Sequence, residues 1–201
     1  MLNTLAFEPQ KALAELKKIG ATAFSILDAP MLDVLAKEAH QYHFADRSGV
    51  VGKENVRQEF AAFNSFPAES AFYAVRYMFT RKICEVLMAS GASFDPWINF
   101  NEMVLQRYPA GSSGITTHID SKRCKNLVVV FPLEGDGDFA ICDDRAGRNA
   151  TVIHAPPGHV ILMAAIGFCS RTEQKFHFLS NIRKGRLTFA MRQLDPPGSL
   201  W

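Results

Sequence analysis

Long apolar runs are missing from this 201-residue chain. No stretch reaches the roughly 18 to 20 apolar residues that a membrane-crossing helix needs, so no membrane partner is expected. An excess of one charge is missing too. Lys and Arg number 22 against 20 Asp and Glu, a formal net charge of +2. That field is too small to argue for a nucleic-acid partner by itself, although it leaves room for a local basic groove. Cysteine is sparse, at positions 84, 124, 142 and 169, and no C-x-x-C pair occurs, which argues against a zinc knuckle. Met1 to Lys18 mixes both charges and has no continuous apolar core, unlike a secretory leader. Reduced thiols and a cytoplasmic location are therefore expected. Internal repeats and low-complexity tracts are absent as well. What is present is 48% apolar residues, enough to bury the core of one compact domain.

Within that domain the pattern changes along the chain. Residues 8–19 show helical spacing at Leu13, Leu16 and Ile19, with Gly20 as a stop. A short strand is expected over 21–27, then a helix to about His40, capped by Asp28 with Pro30 near its start. Residues 45–66 show no period and are a candidate substrate lid, or equally a connecting loop whose phenylalanines plug the core. A long helix is expected over 68–90, with a stripe of Phe72, Val75, Phe79, Ile83 and Leu87. Beyond Pro96 short strands take over, with turn residues between them, including an apolar strand 127–131 ended by Pro132. The expected division is 1–96 as an N-terminal helical elaboration, 97–193 as a β core and 194–201 as a tail. The fold class is α+β, mainly β, in the manner of a jelly roll.

Two stretches carry chemistry. His118 and Asp120 are two apart, which on a strand puts an imidazole and a carboxylate on one face. With a distant histidine they form the 2-His-1-carboxylate triad of non-haem Fe(II) sites. Taken alone, H-x-D fits a surface pair equally well. His154, His159 and His177 compete for the third place, and His177 is preferred because the other two flank the Pro156-Pro157-Gly158 turn. The second stretch alternates Arg186, Thr188, Ala190 and Arg192 with Leu187, Phe189 and Met191. One face of such a strand is apolar. The other carries two arginines, which are costly inside a fold unless an anion meets them. Arginine's fork fits a carboxylate, so a dicarboxylate would satisfy both, whereas a solvated edge strand would need no ligand. The run Ser121 to Lys125 adds three positive charges beside the H-x-D, fitting either a phosphate-bearing substrate or a solvated loop.

In this order, the H-x-D, the distal His177 and the pair Arg186 and Arg192 resemble the AlkB-like branch of the Fe(II)/2-oxoglutarate dioxygenases. Gln106, Arg107, Tyr108 and Gly111 are similar to that family's N-x-Y-x-x-G segment, with Gln106 in place of Asn. Thr188 and Ala190 stand where its R-x-N-x-T-x-R pattern has Asn and Thr. The resemblance covers residues 100–193. It implies a double-stranded β-helix with N-terminal helices on one sheet. It implies Fe(II) on His118, Asp120 and His177, and 2-oxoglutarate held by Arg186 at its distal end and Arg192 nearer the metal, helped by Tyr108, Gln106 and Thr188. O2 and a substrate complete the reaction, which ends in hydroxylation or oxidative demethylation. The implied substrate is an alkylated nucleobase, with an amino-acid side chain or a small metabolite as alternatives. A non-catalytic cupin-like binding protein is the rival from another class.

Overall fold

A computed structural model describes residues 8–91 and 98–196. The first helix, α1 (Pro9–Ile19), buries Leu13 and Leu16 and ends at Gly20, whose left-handed backbone returns its N–H to the Leu16 carbonyl. After β1 (Ala21–Ser25), Asp28 accepts a 2.9 Å hydrogen bond from the Met31 N–H and opens α2 (Ala29–Ala39). Four short strands follow: β2 (Ala45–Asp46), β3 (Gly49–Val51), β4 (Val56–Gln58) and β5 (Ala61–Phe63). They lead into α3 (Ala71–Ala89), whose buried residues are the expected stripe from Phe72 to Leu87. Glu38 of α2 accepts from the Ala71 N–H at 2.9 Å and the Ser70 hydroxyl at 2.6 Å, placing a carboxylate at the positive end of α3.

The rest of the described chain is β6 (Glu102–Tyr108), β7 (Ile115–His118), β8 (Cys124–Gly135), β9 (Asp138–Cys142), β10 (Thr151–Val152), β11 (His159–Ala164), β12 (Phe176–Ser180) and β13 (Arg186–Leu194), with a short turn of 3-10 helix at Phe168–Ser170. They form two antiparallel sheets. The larger runs β1-β11-β8-β13-β6-β5-β2 and the smaller β10-β9-β12-β7-β4-β3. This is the expected jelly roll. The helices pack on the outer face of the larger sheet around Phe72, Phe79, Phe131, Leu162 and Phe189. A second cluster, including Phe60, Tyr108, Phe139, Ile161 and Met163, lies between the sheets.

Three expectations change. Residues 45–66 are not structureless, because β2 and β5 extend the larger sheet beyond β6 while β3 and β4 extend the smaller beyond β7. Strands of two or three residues are too short to show a period. Among its described residues, the segment 1–96 therefore contributes five strands as well as three helices. Pro132 does not end its strand. The register between β13 and β8 shifts at Thr188↔Pro132, and this irregularity lets β8 continue to Gly135 although proline offers no N–H. The tail from Pro197 onward lies outside the described residues.

Strand β13 sits between β8 and β6, and its alternation sorts the molecule. Leu187, Phe189 and Met191 face the helices, while Arg186, Thr188, Ala190 and Arg192 face the space between the sheets. Phe189 contacts the Phe72 ring at a centroid distance of 4.7 Å and stacks on Phe131 at 5.9 Å. Truncation to Ala leaves a cavity with little freedom to collapse. Phe189→Ala is expected to cost about 3–5 kcal/mol, read as a lower urea midpoint at unchanged m-value. A loss below about 1 kcal/mol would show that this ring does not tie the helices to the sheet.

Candidate metal centre

The position of His118 follows from how β7 meets β12. Their register places His177 directly opposite His118. Gly114, just before β7, has φ +76°, and a Cβ there would lie 2.0 Å from the Leu179 carbonyl oxygen, so only glycine permits this approach. Strand β7 ends at His118, so Asp120 lies just beyond the strand and not on it. It still turns toward the same centre, with its Oδ2 3.7 Å from His177 Nε2. One donor atom from each of His118, Asp120 and His177 falls within 4.8 Å of the others. The imidazole centroids are 4.2 Å apart.

Both rings are oriented from behind. His118 Nδ1 lies 2.8 Å from the Thr116 carbonyl oxygen and His177 Nδ1 3.4 Å from that of Lys175. A carbonyl oxygen only accepts, so each Nδ1 carries the proton and each Nε2 offers a lone pair to the centre. Burial, reinforced by the neighbouring His177, pushes His118 down to about 4. Burial likewise lowers His177. For Asp120 burial works the other way, but the neighbouring positive charge, the Arg192 guanidinium foremost, lowers the carboxyl and keeps it ionised. Two neutral imidazoles and one carboxylate are the donor set that a divalent first-row metal takes, and this centre fits Fe(II).

The same cavity, about 270 Å³, extends from the metal centre to Arg186 and includes Gln106, Tyr108, Thr188 and Arg192 in its wall. Arg186 is 5% exposed and has no carboxylate partner among the described residues. Its Nη1 reaches the Gly137 carbonyl at 3.4 Å, while its Nε and the nearby Thr188 Oγ1 are buried without any hydrogen-bond partner. Burial lowers the Arg186 pKa and raises that of Tyr108, whose hydroxyl therefore stays protonated. Unsatisfied donors beside a buried cation fit a carboxylate group there.

Arg192 lies beside the metal centre, as expected, and also meets protein carboxylates. Its Nε lies 3.3 Å from Asp120 Oδ1 and its Nη1 3.0 Å from Glu102 Oε2. Both acids raise its pKa against the opposing effect of burial. Its Nε and Nη1 thus both face protein carboxylates. Glu102 escaped the sequence reasoning because nothing in the local pattern shows that β6 sets it opposite Arg192. Gln58 and Phe60, also in the cavity wall, fell in the stretch without a period. Of the rival histidines, His154 is exposed, and neither it nor His159 joins the metal cluster. One charge of the basic run is paired, Lys125 with Asp195 at 3.1 Å, while Arg123 donates to the Asp195 backbone carbonyl at 2.7 Å.

No family model and no curated protein matches the chain. Solved structures do. A prolyl-4-hydroxylase from Pseudomonas putida is 12% identical over 93% of this chain and 99% of its own, with a TM-score of 0.64. A prolyl hydroxylase from Trichoplax adhaerens, in complex with a peptide fragment of a hypoxia-inducible factor, has the same identity and TM-score over 93% and 89%. An oxidoreductase of the 2OG-Fe(II) oxygenase family from Burkholderia pseudomallei is 14% identical over 96% and 91%, with a TM-score of 0.60. At such identities the similarity establishes the fold, shared along nearly the whole chain.

The lowered pKa of His118 has a consequence for stability. The unfolded chain takes up this proton near 6.5 and the folded chain only near 4. Metal-free stability is therefore full above about 6.5 and is lost as the pH falls toward 4, as the unfolded state binds the extra proton. Urea midpoints measured across this window should fall in the wild type and fall less steeply in His118→Gln. Parallel curves would mean that the ring is not held neutral.

Proposed function

We propose that the chain is an Fe(II)- and 2-oxoglutarate-dependent dioxygenase. The observation that carries this reading is one cavity with a 2-His-1-carboxylate cluster at one end and, at the other, a buried arginine without an acidic partner among the described residues. The fold shared with named 2OG-Fe(II) oxygenases supports it. His118 and His177 would hold Fe(II) through Nε2, and Asp120 through Oδ2, the oxygen that Arg192 leaves free. Together, bound Fe(II) and 2-oxoglutarate supply an O2-dependent oxidation in which one oxygen atom converts 2-oxoglutarate to succinate and CO2 and the other enters a substrate C–H bond.

The chain's own residues do the positioning. The Arg186 fork takes the distal carboxylate of 2-oxoglutarate, with the Thr188 and Tyr108 hydroxyls donating to it and Gln106 alongside. Phe60, Phe139 and Met163 form the apolar part of the cavity wall. Arg192 serves Asp120 in place of the second carboxylate. If the oxidised carbon is an N-methyl group, its hydroxylation ends in loss of formaldehyde and a demethylated nitrogen.

For the substrate we favour an amino-acid side chain or a small metabolite over the alkylated nucleobase implied by the AlkB-like resemblance. One of the three charges of the basic run is paired, Lys125 with Asp195, which weakens its case for a phosphate backbone. The peptide complex of the Trichoplax hydroxylase agrees with a side-chain substrate. A fluorescent single-stranded oligonucleotide should accordingly bind weakly and with little salt dependence. A steep fall of affinity with salt would restore the nucleobase reading.

The reading itself is tested by anaerobic titration with Fe(II) and 2-oxoglutarate, watching for the weak visible charge-transfer band of the chelate. Wild type should develop the band and Asp120→Ala should not. Arg186→Ala should need about ten- to a hundred-fold more 2-oxoglutarate, the effect of losing hydrogen bonds to a charged group. Absence of the band in every preparation would leave a cupin-like binding protein as the better account.

A further inference from the structure

Glu102, on β6, touches neither the metal ligands nor the Arg186 end of the cavity, yet the geometry points to it as a positioning residue for the metal site. This inference rests on the proposed Fe(II) site and deepens it. The register Arg192↔Glu102 sets the two side chains on the same face of neighbouring strands. Arg192 Nη1 reaches Glu102 Oε2 at 3.0 Å, and Arg192 Nε reaches Asp120 Oδ1 at 3.3 Å. The chain runs from partly exposed to buried, since the side chains of Glu102, Arg192 and Asp120 are 39%, 18% and 11% exposed.

Each link has a physical task. Arg192 occupies Oδ1 of Asp120, so the carboxylate presents one oxygen to the metal, not two. Glu102 occupies the other side of the guanidinium and fixes the plane in which Nε points. It also supplies the second negative charge that Arg192 needs. Without it, a full positive charge would lean on the one carboxylate that the metal must share. A metal-bound carboxylate held by a hydrogen-bonded partner is a general arrangement, and loss of such outer partners commonly costs about ten- to a hundred-fold in metal affinity. Glu102 has a further effect on anions. By engaging Arg192 it leaves Arg186 as the buried guanidinium in this cavity that has no acidic partner among the described residues. The cavity is thereby given a direction, with the metal at one end and a carboxylate site at the other.

The experiment is a Mn(II) titration of the full chain under argon, with free Mn(II) read by electron paramagnetic resonance. It compares wild type, Glu102→Gln, Arg192→Gln and the double variant. Glu102→Gln should bind Mn(II) about ten-fold or more weakly. The double variant should be no weaker than Arg192→Gln alone, because Glu102 acts through Arg192. The Co(II)-loaded Glu102→Gln protein should show a changed ligand-field spectrum, which a role in folding alone would not alter. Metal-free urea midpoints separate the two possibilities. A lower midpoint with unchanged Mn(II) affinity makes Glu102 a structural residue and overturns the inference. Equal affinity and spectrum in wild type and Glu102→Gln overturn it as well, while leaving the metal site standing. If wild type binds no Mn(II), and His118→Ala behaves identically, the metal site falls and this inference with it.

Discussion

Strand β13 hydrogen-bonds to β8 along one edge and to β6 along the other, and that double pairing fixes which of its faces looks where. Side chains on a strand alternate, so one register decision places every residue from Arg186 to Arg192. The apolar set meets α3 and the ring cluster of Phe72, Phe131 and Phe189. The polar set is delivered into the space between the sheets. A slip of one residue would put two guanidinium groups under the helices and three large apolar side chains into the cavity. The helix-side core therefore protects the geometry of the cavity. The energy that holds Phe189 also aims Arg186.

The two arginines so delivered have different fates. A buried cation is tolerated where a partner compensates its lost hydration, and Arg192 has two such partners. Arg186 has a backbone carbonyl and no acid among the described residues. The imbalance is local and directional. Around Asp120 the positive charge of Arg192 is matched, so the carboxylate stays ionised without being withdrawn from the metal centre. At Arg186 the charge has no such match among the described residues. The imidazoles complete the arrangement, because burial keeps them neutral and so able to donate lone pairs.

The parts legible in the sequence are those that a short-range period can encode. The alternation of β13 and the helical stripe from Phe72 to Leu87 could be read directly, since each repeats several times within one element. The H-x-D showed a pairing of residue types, although its premise of a continuing strand was too generous, as β7 stops at His118. The parts that could not be read are those set by register between distant strands. Glu102 and Arg192 are neighbours only because β6 pairs with β13, and Asp195 meets Lys125 only because the end of β13 returns beside the start of β8. Pro132 misled for a related reason. A proline breaks a strand when its N–H is needed, and here a shift in register removes the need.

The stretch without a period, residues 45–66, deserves a different reading from the one its composition invites. Its strands are short because each adds only an edge to a sheet already built by the longer ones: β5 beside β6, and β4 beside β7. An edge adds little to the core, so the hydrophobic pattern there is weakly constrained. Gln58 on β4 and Phe60 just after it line the same cavity as Arg186 and Thr188. On the proposed function the Arg186 end takes a small acid, and its place is set by the strictly alternating β13. The wall contributed by β4 and by Phe60 is free to vary in side-chain size and polarity without disturbing that alternation. On the proposed function, selection among substrates would belong to this added edge and selection of the co-substrate to the central strand.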